Sequence, residues 1–455
     1  KPTMNYQTIK TKRKTSLTDN SFLRYITFIA LYFAQGVPEG MLSFGIPAWM
    51  VMNGKSPGEI AGFAVVTVLP WSFKFIVAPL MDRYNYLPMG RKRPWILLGQ
   101  IGLLVSCIYL AYIPEPLNNI DQLMIAGFFV SFFGAFQDVA TDGMAVDIIP
   151  ADQQAKANGL MWGSKIIGMS LSLALGSWLL NKYNFTIAIL MMAVAIGIIM
   201  LVPLFLRERQ GEKIVPWTSG EASPLTKNLQ IESWRHIFKS LFSVFRLRNS
   251  LIIALVLFIS QGGFKYVSTL LPIFTVKELS WTNVDYSNYF ASAKLVGGIV
   301  GMLIGGLLID KFGKKRMMNF YFLSSIFLIM TLVLSKSYWP SRNFIFAFMI
   351  TQNILYTFAS IGIFAIAMQC CWKKVSTSQF TLFMTIANLG QMTFAALIGP
   401  IRENFNWQIS LFAFAIFISI AWLSLQFLNI DRQIAKVAEL ESKDLESKLF
   451  EMSAN

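Results

Sequence analysis

Apolar residues fall along this chain in runs of about 20, each long enough for a helix to cross a hydrocarbon layer about 30 Å thick. The runs lie at 24–50, 57–81, 94–113, 122–149, 157–180, 185–206, 250–276, 284–309, 317–335, 343–371, 376–400 and 407–429. In lipid a spanning segment must satisfy its own backbone N–H and C=O groups, which a helix does. The pattern therefore predicts an all-α membrane protein with twelve transmembrane helices. The first run is too long for the apolar part of a signal peptide and lacks a small-residue cleavage pattern, so it is expected to remain as the first span.

The polar exceptions inside the runs carry the functional signal. Glu39, Lys74, Asp138, Asp142, Lys165, Lys265 and Lys294 lie on runs 1, 2, 4, 5, 7 and 8, and runs 3, 6, 9 and 12 carry no such residue. A charge at the bilayer centre costs about 3 kcal/mol on insertion scales, so it persists where it meets water or a partner. The distribution predicts a wet pathway through a helical bundle, with an outer set of helices facing lipid. That is the plan of a transporter.

Composition agrees. Of 455 residues, 55% are hydrophobic and 14% charged, too apolar for a soluble domain. The net charge of +15 would suit nucleic acid, but the basic residues gather in alternate loops. The clusters are Lys10 to Lys14, Arg83 with Arg91 to Arg93, Arg207 with Arg209, Lys311 with Lys314 to Arg316, and Lys373 with Lys374. This asymmetry assigns both termini and the middle segment to the cytoplasm, and the basic excess to topology and anionic lipid headgroups. The expected organisation is a tail at 1–23, a six-helix half at 24–206, a cytoplasmic linker at 207–249, a second half at 250–429 and a charged C-terminal helix at 430–455. Within the linker, Trp234, Ile237, Phe238, Leu241, Phe242 and Phe245 recur at helical spacing, which predicts an amphipathic helix on the membrane surface. Cys107, Cys370 and Cys371 sit within spans without metal or disulfide spacing.

The halves repeat. Run 8 ends in Gly306-Leu307-Leu308-Ile309-Asp310-Lys311-Phe312-Gly313-Lys314-Lys315-Arg316, and run 2 in Ala78-Pro79-Leu80-Met81-Asp82-Arg83 followed by Gly90-Arg91-Lys92-Arg93. Gln35-Gly36 aligns with Gln261-Gly262, which sets Glu39 opposite Lys265. The Gly306–Lys315 segment resembles the loop motif of the major facilitator superfamily, whose fold is two pseudo-symmetric six-helix halves. The longer first copy, with Phe73-Lys74-Phe75, Gln137-Asp138-Val139-Ala140-Thr141-Asp142-Gly143 and Asp147-Ile148-Ile149-Pro150, resembles the AmpG-type muropeptide permeases and the related acetyl-coenzyme A transporters. The resemblance implies that Asp82, Arg83 and Arg91, and Gly306, Asp310, Lys311, Gly313 and Lys314, form a charge latch between spans 2 and 11 or 8 and 5. Such a latch acts on the conformational equilibrium and does not touch solute.

Asp138 and Asp142 lie four apart, on one helical face about 6 Å apart along the axis. Two carboxylates at a low-dielectric site do not both ionise cheaply, which makes Asp142, then Asp138 and Glu39, the candidate proton carriers. The sole histidine, His236, lies outside the runs. Lys74 and Lys165 are the expected partners, in one cluster with both aspartates. Glu39 and Lys265 are expected to pair when the outer side closes. Lys74, Lys165, Lys265 and Lys294 against three acids favour an anionic solute, with Gln35, Gln137, Gln261, Gln352, Asn353, Tyr356, Asn388 and Gln391 as further contacts or helix bridges. Trp49, Trp71, Trp162 and Trp178 read as interface anchors or packing.

The expected activity is proton-coupled import of an anionic polar solute such as an anhydro-muropeptide, by a monomer in a bacterial inner membrane. Carriage of a siderophore, an acyl-coenzyme A or a drug-like anion is the alternative, and a non-transporting sensor or scaffold a third. No Ser/His pair, metal-ligand cluster or phosphate loop falls in the runs, so neither enzyme activity, cofactor nor metal is expected.

Overall fold

The computed structural model describes residues 16–231 and 233–454, so the Lys10–Lys14 cluster lies outside the described residues. The described chain is helical, its one β-type pairing being an isolated bridge between Ser16 and Arg207. Span 1 (21–52) starts at Asn20, whose side chain accepts from Phe22 N and Leu23 N, and passes through a π turn at Met41–Gly45. Span 2 (57–83) narrows to a 3-10 turn at Lys74–Ile76, after Pro70 and before Pro79. Spans 3 to 6 are Arg93–Ala111, Ile120–Ile148, Gln154–Lys182 and Phe185–Phe205. Span 7 is Arg248–Lys277, and span 8 (283–312) holds a second π turn at Gly301–Gly305. Spans 9 to 12 are Lys314–Leu334, Arg342–Gln369, 376–404 and Trp407–Gln426. Eleven of these helices are long and apolar enough to cross a membrane, and span 1, divided by its π turn and carrying Arg24 and Glu39, completes the twelve.

Packing repeats between halves. Span 1 lies against span 5 as span 7 lies against span 11, and spans 3, 4 and 6 form a group matched by 9, 10 and 12. Spans 3, 6, 9 and 12 turn large side chains outward, among them Val105 on span 3, Ile198 on span 6, Phe327 on span 9 and Leu423 on span 12. Without a hydrophobic drive between helices in lipid, close packing rests on small residues. A Cβ at Gly306 would lie 2.3 Å from Ala155 O, so only glycine lets span 8 cross span 5 there.

The segment after span 6 folds back onto the bundle. Glu208 is fully buried and accepts from Arg91 N (3.0 Å), Lys92 N (2.7 Å) and Arg93 N (2.6 Å), which leaves the start of span 3 capped from a distance. Gly90 adopts φ of 104°, a left-handed value that suits glycine, and a Cβ there would meet Glu208. Further on, the helix Trp234–Phe245 and the C-terminal helix Ile430–Ala454 pack beside the loop that holds Trp372 and Val375.

Candidate functional site

Two adjoining cavity compartments of about 380 and about 540 Å³ lie between the halves. Glu39, Lys165, Lys265, Asn388 and Gln391 line both. The first adds Lys294, Gln261, Gln352, Asn353 and Tyr356, and the second adds Gln35. Spans 1, 5, 7, 8, 10 and 11 therefore deliver to one space the polar residues that their apolar sequences would otherwise exclude. Lys165 Nζ pairs with Glu39 at 2.9 Å, and lies 4.7 and 5.7 Å from the ring centres of Trp71 and Trp162. Among the described residues Lys265 and Lys294 have no carboxylate within 4.0 Å. Glu39 against three lysines leaves the lining with two uncompensated cations. Gln261 donates to Ser360 Oγ at 3.1 Å, so its amide is oriented, whereas both polar atoms of the Gln352 amide lack a protein partner.

Deeper in the N-terminal half the two aspartates of span 4 separate. Asp138 pairs with Lys74 at 2.7 Å, both nearly sealed from solvent. Asp142 accepts a short hydrogen bond from the Tyr32 hydroxyl on span 1, and its Oδ2 has no partner. Lys74, Asp138, Asp142 and Lys165 lie within electrostatic reach of one another, as the cluster expected from the sequence requires, though among the described residues only Lys74 and Asp138 of the four pair directly. Lys165 turns to Glu39, because span 5 packs along span 1 and brings the two within reach. Glu39 and Lys265, the latter exposed to the cavity, are not paired in this form, whose outer end is not joined; their expected pairing belongs to the form with that end closed. Lys74 faces a small apolar groove between spans 2 and 4 in place of the cavity. Gln137 is also off the cavity, donating to Leu31 O at 3.2 Å and tying span 4 to span 1.

The cavity is closed at the end that carries the termini and the middle segment. Asp82, at the end of span 2, accepts from Ser378 N (2.8 Å) and Ser378 Oγ (2.7 Å), capping the first turn of span 11. Asp310, at the end of span 8, accepts from Lys156 N (3.0 Å) in the first turn of span 5. Each half thus places a carboxylate on a helix N-terminus of the other, where free N–H groups and the helix dipole favour it. Arg91 bridges Asp147 (3.0 Å) and Asp82 (3.4 Å) while donating to the carbonyls of Lys373 and Lys374, and Ser376 donates to Asp147 (2.6 Å). Lys314 donates to Ala151 O and to Gln154 and Gln369. At the opposite end no hydrogen bond or ion pair joins the halves among the described residues.

Two motif residues stand apart from this latch. Arg83 stacks on Tyr84 and Trp234, and Lys311 is exposed beside Phe312, since both side chains leave the helix on the face away from the seam. Lys92, which pairs with Asp82 at 2.7 Å, takes the place expected of Arg83. Tyr32, Ser376 and Ser378 are ordinary in sequence and gain their roles only from the opposing helix, and Asp147, marked only as part of a motif, gains its bonds to Arg91 and Ser376 in the same way. Trp71 and Trp162 line the cavity, contrary to their reading as anchors; Trp49 stacks on Phe185, and Trp178 lies beside Lys182 and Tyr183.

The family model described as Major Facilitator Superfamily matches residues 28–400. The anhydromuropeptide permease of Escherichia coli K12 is 24% identical over 398 residues, covering 85% of this chain and 75% of that protein. The putative transporter AmpG 3 of Rickettsia prowazekii is 20% identical over 439 residues, covering 90% and 99%. The crystal structure of the transporter FucP in the outward conformation superposes with a TM-score of 0.66 at 12% identity, covering 89% of this chain and 98% of that one, a likeness of fold alone.

Proposed function

The chain belongs to the major facilitator superfamily, and as a membrane transporter of that family we propose that it imports an anionic polar solute by alternating access, coupled to protons. The carrying observation is the pair of uncompensated cations, Lys265 and Lys294, on the C-terminal wall of a cavity sealed at one end. They are placed to take a carboxylate, while Gln352, Asn353, Asn388 and Gln391 offer donors and acceptors to hydroxyl and amide groups. Cavity volume and lining suit a ligand of several hundred Å³ with both apolar and polar parts. Similarity to the anhydromuropeptide permease favours a muropeptide of that kind. A proton taken up by Asp142 would neutralise a buried carboxylate that makes no direct ion pair among the described residues, and one on Glu39 would release Lys165 towards the solute. The sealed end is then the cytoplasmic one, in a bacterial inner membrane with both termini inside.

Proteoliposomes with an imposed pH gradient and radiolabelled anhydro-muropeptide test this. Accumulation against the gradient-free control is expected. Lys265→Gln and Lys294→Gln should each weaken apparent affinity about tenfold or more, as loss of a charge-assisted contact does. Accumulation that ignores the pH gradient removes the coupling, and unchanged affinity in both variants removes the anion site.

A further inference from the structure

The helix Trp234–Phe245 lies across the seam between the halves and has two working faces. Its inner face, Ile237, Leu241 and Val244, is buried against Trp372 and Val375 of the loop between spans 10 and 11. At its start, Trp234 stacks with the N-terminal half: the Arg83 guanidinium lies 5.0 Å from its ring centre, and Tyr84 meets it edge-on at 6.0 Å. His236 pairs with Asp444 of the C-terminal helix at 2.6 Å, and Asp444 also pairs with Lys374, whose carbonyl accepts from Arg91 of the latch. One short helix therefore touches both sides of the closed end, and separating the halves there must break one set of contacts or the other.

Its outer face is unlike the rest of the cytoplasmic end. Phe238 and Phe242 are 57% and 62% exposed, and Arg235, Lys239 and Arg246 are exposed around them. These positions fall at helical spacings on one side, aromatic rings flanked by cations. Span 7 begins at Arg248, directly after this helix, which fixes the face at the level where a membrane-crossing helix enters lipid. Aromatic side chains at that depth bury in the headgroup boundary, and basic side chains there attract anionic headgroups.

We propose that the Trp234–Phe245 helix is a strap whose outer face binds anionic phospholipid headgroups of the cytoplasmic leaflet, and that this binding holds the latched end closed. The headgroup phosphates accept from Arg235, Lys239 and Arg246 while Phe238 and Phe242 enter the acyl boundary. Lipid favours the closed state because only there is the helix held flat, its inner face docked on the seam; a ligand shifts such an equilibrium only through its differential affinity for the two states. The second half of the proposal rests on the alternation proposed above, and the lipid binding does not.

The test uses the full chain in nanodiscs of phosphatidylcholine alone or with phosphatidylglycerol, with spin labels at the exposed Tyr86 and Lys373 on opposite sides of the seam. The closed, short-distance population is expected to gain by a factor of about five or more over the open one when phosphatidylglycerol is present, the scale of one basic residue at an anionic surface. The combined variant Arg235→Gln, Lys239→Gln and Arg246→Gln should keep the phosphatidylcholine distribution and lose the response. Native mass spectrometry should show retained phosphatidylglycerol in the parent and less in the variant. Populations that move on acidification but ignore lipid, or a variant that responds like the parent, overturn the strap alone. A single distance under every lipid and pH overturns the alternation, and the control of the seam with it.

Discussion

Asp138 and Asp142 stand four residues apart on one helix, yet one is neutralised by Lys74 and the other is held by a phenol. Under the proposed coupling, that difference favours Asp142 over Asp138 as the site of the proton. Asp142 is sealed from water and makes no direct ion pair among the described residues, whereas Asp138 keeps its lysine, so a carboxylate-to-amide change has different meanings at the two sites. Asp142→Asn fixes the neutral form: it should abolish accumulation driven by a pH gradient while sparing exchange of solute across proteoliposomes loaded on both sides. Retained accumulation would remove Asp142 as the carrier, and Asp138 and Glu39 would be tested the same way. The candidates were legible as polar residues in apolar runs. Lys74 was legible too as the partner Asp138 takes, but the partner of Asp142 was not, because Tyr32, four positions after Phe28 on an apolar helix, carries no mark of its role until span 4 lies against it.

At the scale of elements, helix ends organise this molecule. The starts of spans 3, 5 and 11 are capped by Glu208, Asp310 and Asp82, each distant in sequence. The cap on span 3 carries a pH dependence through Glu212, which accepts from Arg209 N beside it. Burial, and then the neighbouring charge of Glu208, push the Glu212 carboxyl up from 4.5 to about 8. With its folded pKa above its unfolded one, the folded segment holds more protons in that window, so its stability is full below the unfolded value and falls as pH rises to about 8. Thermal unfolding of purified protein across this range should show a midpoint that declines towards alkaline pH, and Glu212→Gln should flatten the decline. An equally steep decline in the variant would place the titration elsewhere. Sequence analysis found this stretch only as a linker, since a buried glutamate in a polar segment resembles an exposed one.

In the whole molecule, the latch at the terminal end sets which side of the cavity is sealed. Ser378 contributes one hydroxyl bond to Asp82, and bonds to charged groups contribute about 1.5–3 kcal/mol, about tenfold or more in an equilibrium. Ser378→Ala should therefore raise the labelling of a cysteine placed at the buried Thr381 by a membrane-impermeant reagent added on the cytoplasmic side. Labelling equal to the parent's would show that the backbone bond from Ser378 N suffices. Orientation has its own check: reporters inserted at the exposed Trp217 and after Asn455 should both read cytoplasmic, and an external reading at either would reverse the sealed side. The sequence by itself determined the twelve spans and their division into two repeats, because the spans follow from the cost of placing one contiguous run in lipid and the repeats from matching motifs. Only the tertiary structure decided that Lys165 answers Glu39, that Asp142 answers Tyr32, and that Lys92 and not Arg83 answers Asp82. Those choices turn on contacts of about 3 Å between helices, set by how each is rotated and how closely its small residues let a neighbour approach, and no helix holds that information in its own periodicity.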